Sequence, residues 1–269
     1  MLTQEEMRML SWLGQTIEVP GAFLDLGSFL GGSTVALALG ASRAKTRRTV
    51  HAYDIFVLNE YLKYSFLYNK GHGFVAGNDG FEVFQDFTKP LSAHIETHRG
   101  NIHTMSWTGD ADVAILFVDL AKSSETNAHL LHKYFNALNR GSIVVQQDFL
   151  FFRCPWLHTT MYQLRDAMPL LTTTQDSSAI FGVRRQINDE AILRCLAHDD
   201  QNDRLHAADY FCDLLPEVRQ KEMMTQLKSW IAASPNVNVA SKMKPGPGFN
   251  EGLFPLYRRA AARGQTDKK

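Results

Sequence analysis

The sequence predicts an α/β protein, a doubly wound and mostly parallel sheet, and three observations carry that expectation. Residues 21–40 read G-A-F-L-D-L-G-S-F-L-G-G-S-T-V-A-L-A-L-G, an apolar strand that turns through glycines into an apolar helix. Val113–Val118 and residues 142–145 are continuous apolar runs of strand length, as strands buried on both faces are, and they lead into Asp119 and into Q-Q-D-F. Around them, strand-length and helix-length apolar patterns alternate, which is how a helix-covered parallel sheet is written in sequence. In such a sheet a ligand sits above the carboxyl ends of the strands. Gly27, Asp54, Asn101, Asp119 and Asp148 are therefore expected to line one crevice.

The elements follow in order. Thr3 and Glu6 form a capping-box pattern ahead of Met7, Leu10, Leu13 and Ile17 at helical spacing, so the chain opens with an amphipathic helix over one sheet face. Residues 23–26 are too short and too tightly bounded for a helix, and Gly27 stands where the strand must turn. Ser33 is placed to cap a helix beginning at Thr34, whose unpaired N–H groups and positive dipole end face whatever lies above Gly27 and Gly31. Asp25 lies inside the strand, where a carboxylate is costly unless it meets a donor such as a cationic amine. Residues 49–53 form a second strand ending at Asp54, a carboxylate that either caps the next turn or faces a ligand.

Residues 57–93 are rich in aromatics and interrupted by K-G-H-G-F-V-A-G-N-D-G. The glycines at 71, 73, 77 and 80 read either as a lid or as plain turns. A third strand over 93–97 precedes H-R-G-N-I-H. Ser124 or a neighbour starts a helix with Leu130, Leu131, Tyr134, Phe135 and Leu138 on one stripe, ended by Gly141. A helix over 155–168 follows, and residues 170–174 and 179–183 make a closing antiparallel hairpin. Beyond 185 the pattern turns helical, near 189–197, 203–215 and 217–233, so a main domain (1–185) is expected to carry a helical C-terminal appendage (186–269) ending in a basic solvated tail. H-D-D-Q-N-D-R-L-H at 198–206 reads as a polar inter-helix turn capped by Asp203 rather than as a metal site.

Composition narrows the function classes. With 269 residues and 45% hydrophobic content the chain can bury a large core, and Lys plus Arg and Asp plus Glu total 28 each. No global field favours nucleic acid or an acidic membrane. Three cysteines match neither a disulfide framework nor a zinc spacing, which suits the cytoplasm. The acidic start and the lack of a long uncharged apolar run point away from a signal peptide and from membrane insertion.

D-L-G-S-F-L-G-G-S at residues 25–33 resembles motif I of class I S-adenosylmethionine-dependent methyltransferases. In that family the first glycine lets the ligand approach the backbone and the acidic residue helps organise the methionine end of the cofactor. The resemblance covers about residues 1–185 and implies cofactor contacts from Asp25, Gly27, Ser28, Gly31 and Ser33. It further implies that Asp54 receives the ribose hydroxyls and that Asn101 and Ile102 hold the adenine. V-D-L-A-K at 118–122 and V-V-Q-Q-D-F at 144–149 look most like metal-dependent sugar O-methyltransferases of the macrocin type, which hold magnesium with an Asp after the fourth strand and paired Asp residues after the fifth. The implied metal set is Asp119, Gln147 and Asp148.

Two positions depart from that pattern: Gln147 stands where the first paired Asp would be, and Ala121 replaces the acidic base. The expected activity is methyl transfer from S-adenosylmethionine to a hydroxyl of a sugar or other small polar metabolite, with Asp119, Lys122, Asp148 and His158 as catalytic candidates. With magnesium, the two aspartates lower the hydroxyl pKa through the metal. Without it, His158 moves the proton and Lys122 anchors the acceptor. Two other readings stay open: an adenosyl or nucleotide-sugar binder without transferase chemistry, and a nicotinamide oxidoreductase. The last is the weaker, because Phe29 stands where G-x-G-x-x-G needs its second glycine. Self-association is left open.

Overall fold

The computed structural model describes residues 2–254 apart from 110, 152 and 176; the expected tail at 258–269 lies outside the described residues. The chain divides into two compact units, Met1–Asp119 and Leu120–Lys269.

The first unit holds α1 (Gln4–Thr16), β1 (Ala22–Leu26), α2 (Gly32–Arg43), β2 (Val50–Asp54), α3 (Glu60–Phe66), α4 (Phe81–Thr88), β3 (Ile95–Arg99) and β4 (Val113–Val118). Its strands pair in parallel, β1 with β2 and β4, and β2 with β3. The capping box at Thr3 and Glu6 forms as the sequence indicates. Every residue of β1 and of β4 is buried. Helices α1 and α2 meet almost backbone to backbone: a Cβ on Gly40 would lie 2.2 Å from the Ser11 carbonyl oxygen, and one on Gly14 would lie 2.6 Å from that of Leu37. Only glycine permits that approach.

The second unit holds α5 (Ser124–Tyr134), β5 (Leu138–Gln146), α6 (Pro155–Gln163), β6 (Leu170–Thr173), β7 (Ala179–Gly182), α7 (Asp189–Ala197), α8 (Gln201–Leu214) and α9 (Val218–Ala233). β7 runs antiparallel to both β5 and β6, which is the expected closing hairpin. The strand order is β3-β2-β1-β4-β5-β7-β6, a doubly wound and mostly parallel sheet with that hairpin at one end. Helices α7 and α8 pack on α6, and α9 packs on α8.

Three local expectations change. Gly141 does not end a helix: α5 stops at Tyr134, and Gly141 sits inside β5 at φ 94 with its N–H on the Val183 carbonyl. The helix from Pro155 stops at Gln163 rather than running to 168. Helix α8 is capped by Asp200, with Asp203 as its box partner three residues on. The neighbouring Asp199 serves the fold instead, because the buried Arg204 donates to both its oxygens, from Nε at 3.0 Å and from an Nη at 2.9 Å. An arginine sealed this deeply needs such a forked partner.

Candidate functional site

In the first unit the end of β1 is built around Asp25, which is completely buried. Its partners are hydroxyls and not an amine. Ser33 Oγ donates to the two carboxylate oxygens at 3.0 and 2.9 Å, and Thr34 Oγ donates at 2.5 Å. Ser33 is thus no helix cap. Helix α2 begins at Gly32, its cap position is Gly31 at φ 90, and Ser33, already in the first turn, points back to the strand. Burial still dominates, and with Asp119 and Asp54 adding to it against the two hydroxyls, the Asp25 carboxyl is pushed up to about 7.

Gly27 makes the turn at φ 100, a region closed to most side chains. The N–H groups of Gly27 and Ser28 both reach the Tyr53 carbonyl, and the buried Ser28 hydroxyl donates to the Asp25 carbonyl at 3.1 Å. Gly31 is needed twice, since its φ is positive and a Cβ there would lie 2.8 Å from the Thr88 methyl group.

The Asp54 carboxylate caps two turns. One oxygen accepts the Phe29 N–H at 2.8 Å and the other accepts the Phe56 N–H at 2.6 Å. Phe29 at φ 47 and Phe56 at φ 56 are both in the left-handed region, where a bulky residue is strained and must be held. Burial raises the Asp54 pKa, the Phe56 and Phe29 amides lower it, and Asp119 raises it. A carboxylate has about four acceptor positions, so beyond the Phe56, Phe29 and Ile55 amides it keeps capacity for a ligand hydroxyl.

Asp119 follows β4, its N–H on the Leu26 carbonyl at 2.8 Å. The ends of β1, β2 and β4 thus bring Asp25, Asp54 and Asp119 within electrostatic reach of one another. Beyond β3, the Asn101 side chain accepts the His103 N–H at 3.0 Å and starts a short turn over Ile102–Thr104; Asn101 is exposed and Ile102 half-buried. Residues 71–80 are tethered at several points, among them buried Lys63 donating to the Val75 carbonyl at 2.9 Å, the Leu58 N–H donating to the Asn78 carbonyl at 2.8 Å, and Arg99 pairing with Asp79 at 2.8 Å. Phe74, beside the first tether, is exposed.

In the second unit Lys122 Nζ pairs with the Asp148 carboxylate. Gln147 is buried, its side-chain N–H on Ser177 Oγ at 3.3 Å. A magnesium ion asks for a cage of oxygens. Here an ammonium already occupies Asp148 and the amide is turned to a serine, so Gln147 and Asp148 do not fit the ion. His158 is also placed differently from its expected role. It is wholly buried, its ring 4.3 Å from Phe149 and 6.1 Å from Phe211. Burial pushes its pKa down to about 4; the backbone of Cys154, Phe149 and Pro155 opposes this, yet neither ring nitrogen meets a partner at hydrogen-bond geometry. A neutral ring sealed among phenyl groups has no path for moving a proton at a substrate.

Thr34, Phe29 and Phe56 were missed by sequence reasoning. Thr34 had a signal, since it is a second hydroxyl directly after the one singled out. The two phenylalanines had none, because positive φ is not written in a phenylalanine.

Among solved structures the chain is similar to the O-methyltransferase NovP, with a TM-score of 0.52 and 16% identity over 67% of this chain and 80% of that one. The chain has a Rossmann-like methyltransferase fold. The O-methyltransferase TomG from Streptomyces achromogenes, solved in complex with SAM, aligns at a TM-score of 0.47 and 13% identity over 69% of this chain and 82% of that one. No protein-family model matches the chain, and no curated protein does. No helix among the described residues is long and apolar enough to cross a membrane.

Proposed function

We propose that the chain is an S-adenosylmethionine-dependent methyltransferase acting on a hydroxyl of a small polar acceptor, in the sugar class, in the cytoplasm. The observation that carries this is the trio Asp25, Asp54 and Asp119 at three adjacent strand ends, each partly buried or sealed, with Asp119 raising the pKa of both Asp25 and Asp54 and Asp54 raising that of Asp25. Mutually repelling carboxylates beside a glycine turn favour a ligand that brings positive charge, as a sulfonium with an ammonium does. A nicotinamide dinucleotide carries a pyrophosphate, which the same carboxylates would repel. The fold shared with NovP supports the same reading.

The cofactor, when bound, supplies a methyl group on a cationic sulfur that leaves as a neutral thioether. The chain's own residues do the rest. Asp25 fixes the Gly27 turn and the start of α2 through Ser33 and Thr34. Asp54 holds both flanking turns and offers its remaining lone pairs to ribose hydroxyls. Asn101 and Ile102 border the adenine. Asp119 and Asp148 are the candidates to accept the hydroxyl proton, and Lys122, paired with Asp148, orients that carboxylate and anchors the acceptor. No step requires magnesium or His158.

Calorimetric titration with S-adenosylhomocysteine tests the reading. Each charge-assisted hydrogen bond from Asp54 contributes about 1.5–3 kcal/mol, so Asp54→Ala should weaken binding at least ~10-fold. Tighter binding of NAD, or no binding of S-adenosylhomocysteine by the wild type, would overturn it.

A further inference from the structure

Strands β2 and β3 carry a cluster that the proposed methyl transfer does not use. In their parallel register His51 stands opposite Glu96 and Tyr53 opposite His98, so alternate residues place His51, Tyr53, Glu96 and His98 on one sheet face. His51 Nδ1 lies 3.0 Å from His98 Nε2. The Glu96 carboxylate completes a triangle, with one oxygen 3.7 Å from His51 Nδ1 and the other 3.5 Å from His98 Nε2. A zinc ion with Zn–N bonds of about 2.0–2.1 Å in tetrahedral geometry spaces its ligand atoms about 3.3–3.4 Å apart. The nitrogen–nitrogen distance falls just below that value and the two nitrogen–oxygen distances, one to each Glu96 oxygen, just above it.

The surroundings suit ligation. Tyr53 stacks on His98 at 4.3 Å with the rings 11° apart, and the edge of Trp107 meets His51 at 4.8 Å, so both imidazoles are held in their planes. Trp107 is itself fixed by a bond from its indole N–H to the Ala111 carbonyl at 2.9 Å. The His51 side chain is 13% exposed and that of Glu96 59%, so the triangle has a closed back and an open mouth through which an ion and a water can enter. Burial lowers the pKa of both histidines, which keeps the imidazoles neutral, the form that binds metal.

We propose that His51, Glu96 and His98 form a binding site for a zinc-class divalent transition metal, held by His51 Nδ1, His98 Nε2 and the Glu96 carboxylate with a fourth position open to water. Two imidazoles with one carboxylate select borderline metals over magnesium, which prefers an all-oxygen shell. The site spans β2 and β3, so the ion would pin the two strands together. Without the ion, a bond between the two ring nitrogens needs a proton on one of them; with it, both nitrogens present lone pairs and that one proton moves to the other nitrogen of its own ring.

Cobalt titration of the chelator-treated, full-length protein tests this. The wild type should bind one equivalent and develop the visible absorption of tetrahedral cobalt, displaced by zinc. His98→Gln and Glu96→Gln, both at partly exposed positions, should bind at least ~100-fold and ~10-fold more weakly. Asp119→Asn should bind as the wild type does, which separates this site from the strand-end carboxylates. Nitrogen-detected NMR of the two rings should show one of them change tautomer on adding zinc. Cobalt bound equally well by His98→Gln, bound without the tetrahedral band, or not bound at all would overturn the site and leave a plain hydrogen bond between His51 and His98.

Discussion

Asp25 at the end of β1 and His158 in α6 are both completely buried and both titratable, yet the regions around them solve the same problem in opposite ways. Around Asp25 the chain supplies hydroxyl donors; around His158 it supplies phenyl rings. Both groups are driven toward their neutral forms, the acid upward to about 7 and the base downward to about 4. The difference is what remains. Asp25 keeps a partnered carboxyl poised to ionise near neutrality, whereas His158 is a packing residue that happens to carry nitrogens. Burial alone does not mark a functional group; the donors that come with it do.

The largest expected effect comes from pH. Because the folded-state pKa of Asp25 is raised, the native protein holds a proton that the unfolded chain releases, so its contribution to stability is lost as pH rises from about 4 to about 7. That loss is on the order of 4 kcal/mol. His158 runs the other way over the same range: its folded pKa is lowered, so stability is lost as pH falls from about 6.5 to about 4, by ~3 kcal/mol. In the wild type the two nearly cancel. Urea denaturation should therefore show Asp25→Asn losing stability toward pH 4 and His158→Leu losing it toward pH 7. Parallel profiles for the two variants would end the comparison.

The hydroxyls come next. Ser33→Ala and Thr34→Val should each cost roughly 1–2 kcal/mol above pH 8, where Asp25 is ionised, and less at pH 5, where it is protonated. A loss independent of pH would mean that the hydroxyls serve packing and not the carboxylate. A smaller effect is expected at the neighbouring turn. Phe29→Gly should be more stable than Phe29→Ala by about 1 kcal/mol, because both remove the ring that meets Phe66 but only alanine keeps the strain at φ 47. On the aromatic side, Lys122→Ala should change stability by less than ~1 kcal/mol, since its pair with Asp148 is half-exposed on the lysine side. A marked loss of turnover from that variant, measured with fold intact, would place Lys122 in the chemistry.

Much of the fold was legible in the sequence where local signals agree. β4 and α7 fall on the expected residues because a continuous apolar run and an Asn-capped amphipathic stretch each end at breakers. The glycine turn after β1 and the closing hairpin were legible for the same reason. Ends with weaker punctuation drifted, as at Gly141, where a glycine that reads as a helix stop is a bent position in a strand.

The sequence by itself determined the alternation of strands and helices, the glycine turn after β1, and the acidic residues at the ends of β2 and β4, because hydrophobic period and chain punctuation are local properties. Only the tertiary structure decided who meets whom. Ser33 and Thr34 lie within ten residues of Asp25, yet whether they cap a helix or bond a carboxylate depends on how α2 folds back on β1. His51 reaches Glu96 and His98 through strand register, across more than forty residues of intervening chain. His158 was a catalytic candidate until Phe149 and Phe211, from two separate stretches, packed against its ring. Contacts of that kind depend on packing in three dimensions, which proximity along the chain does not decide.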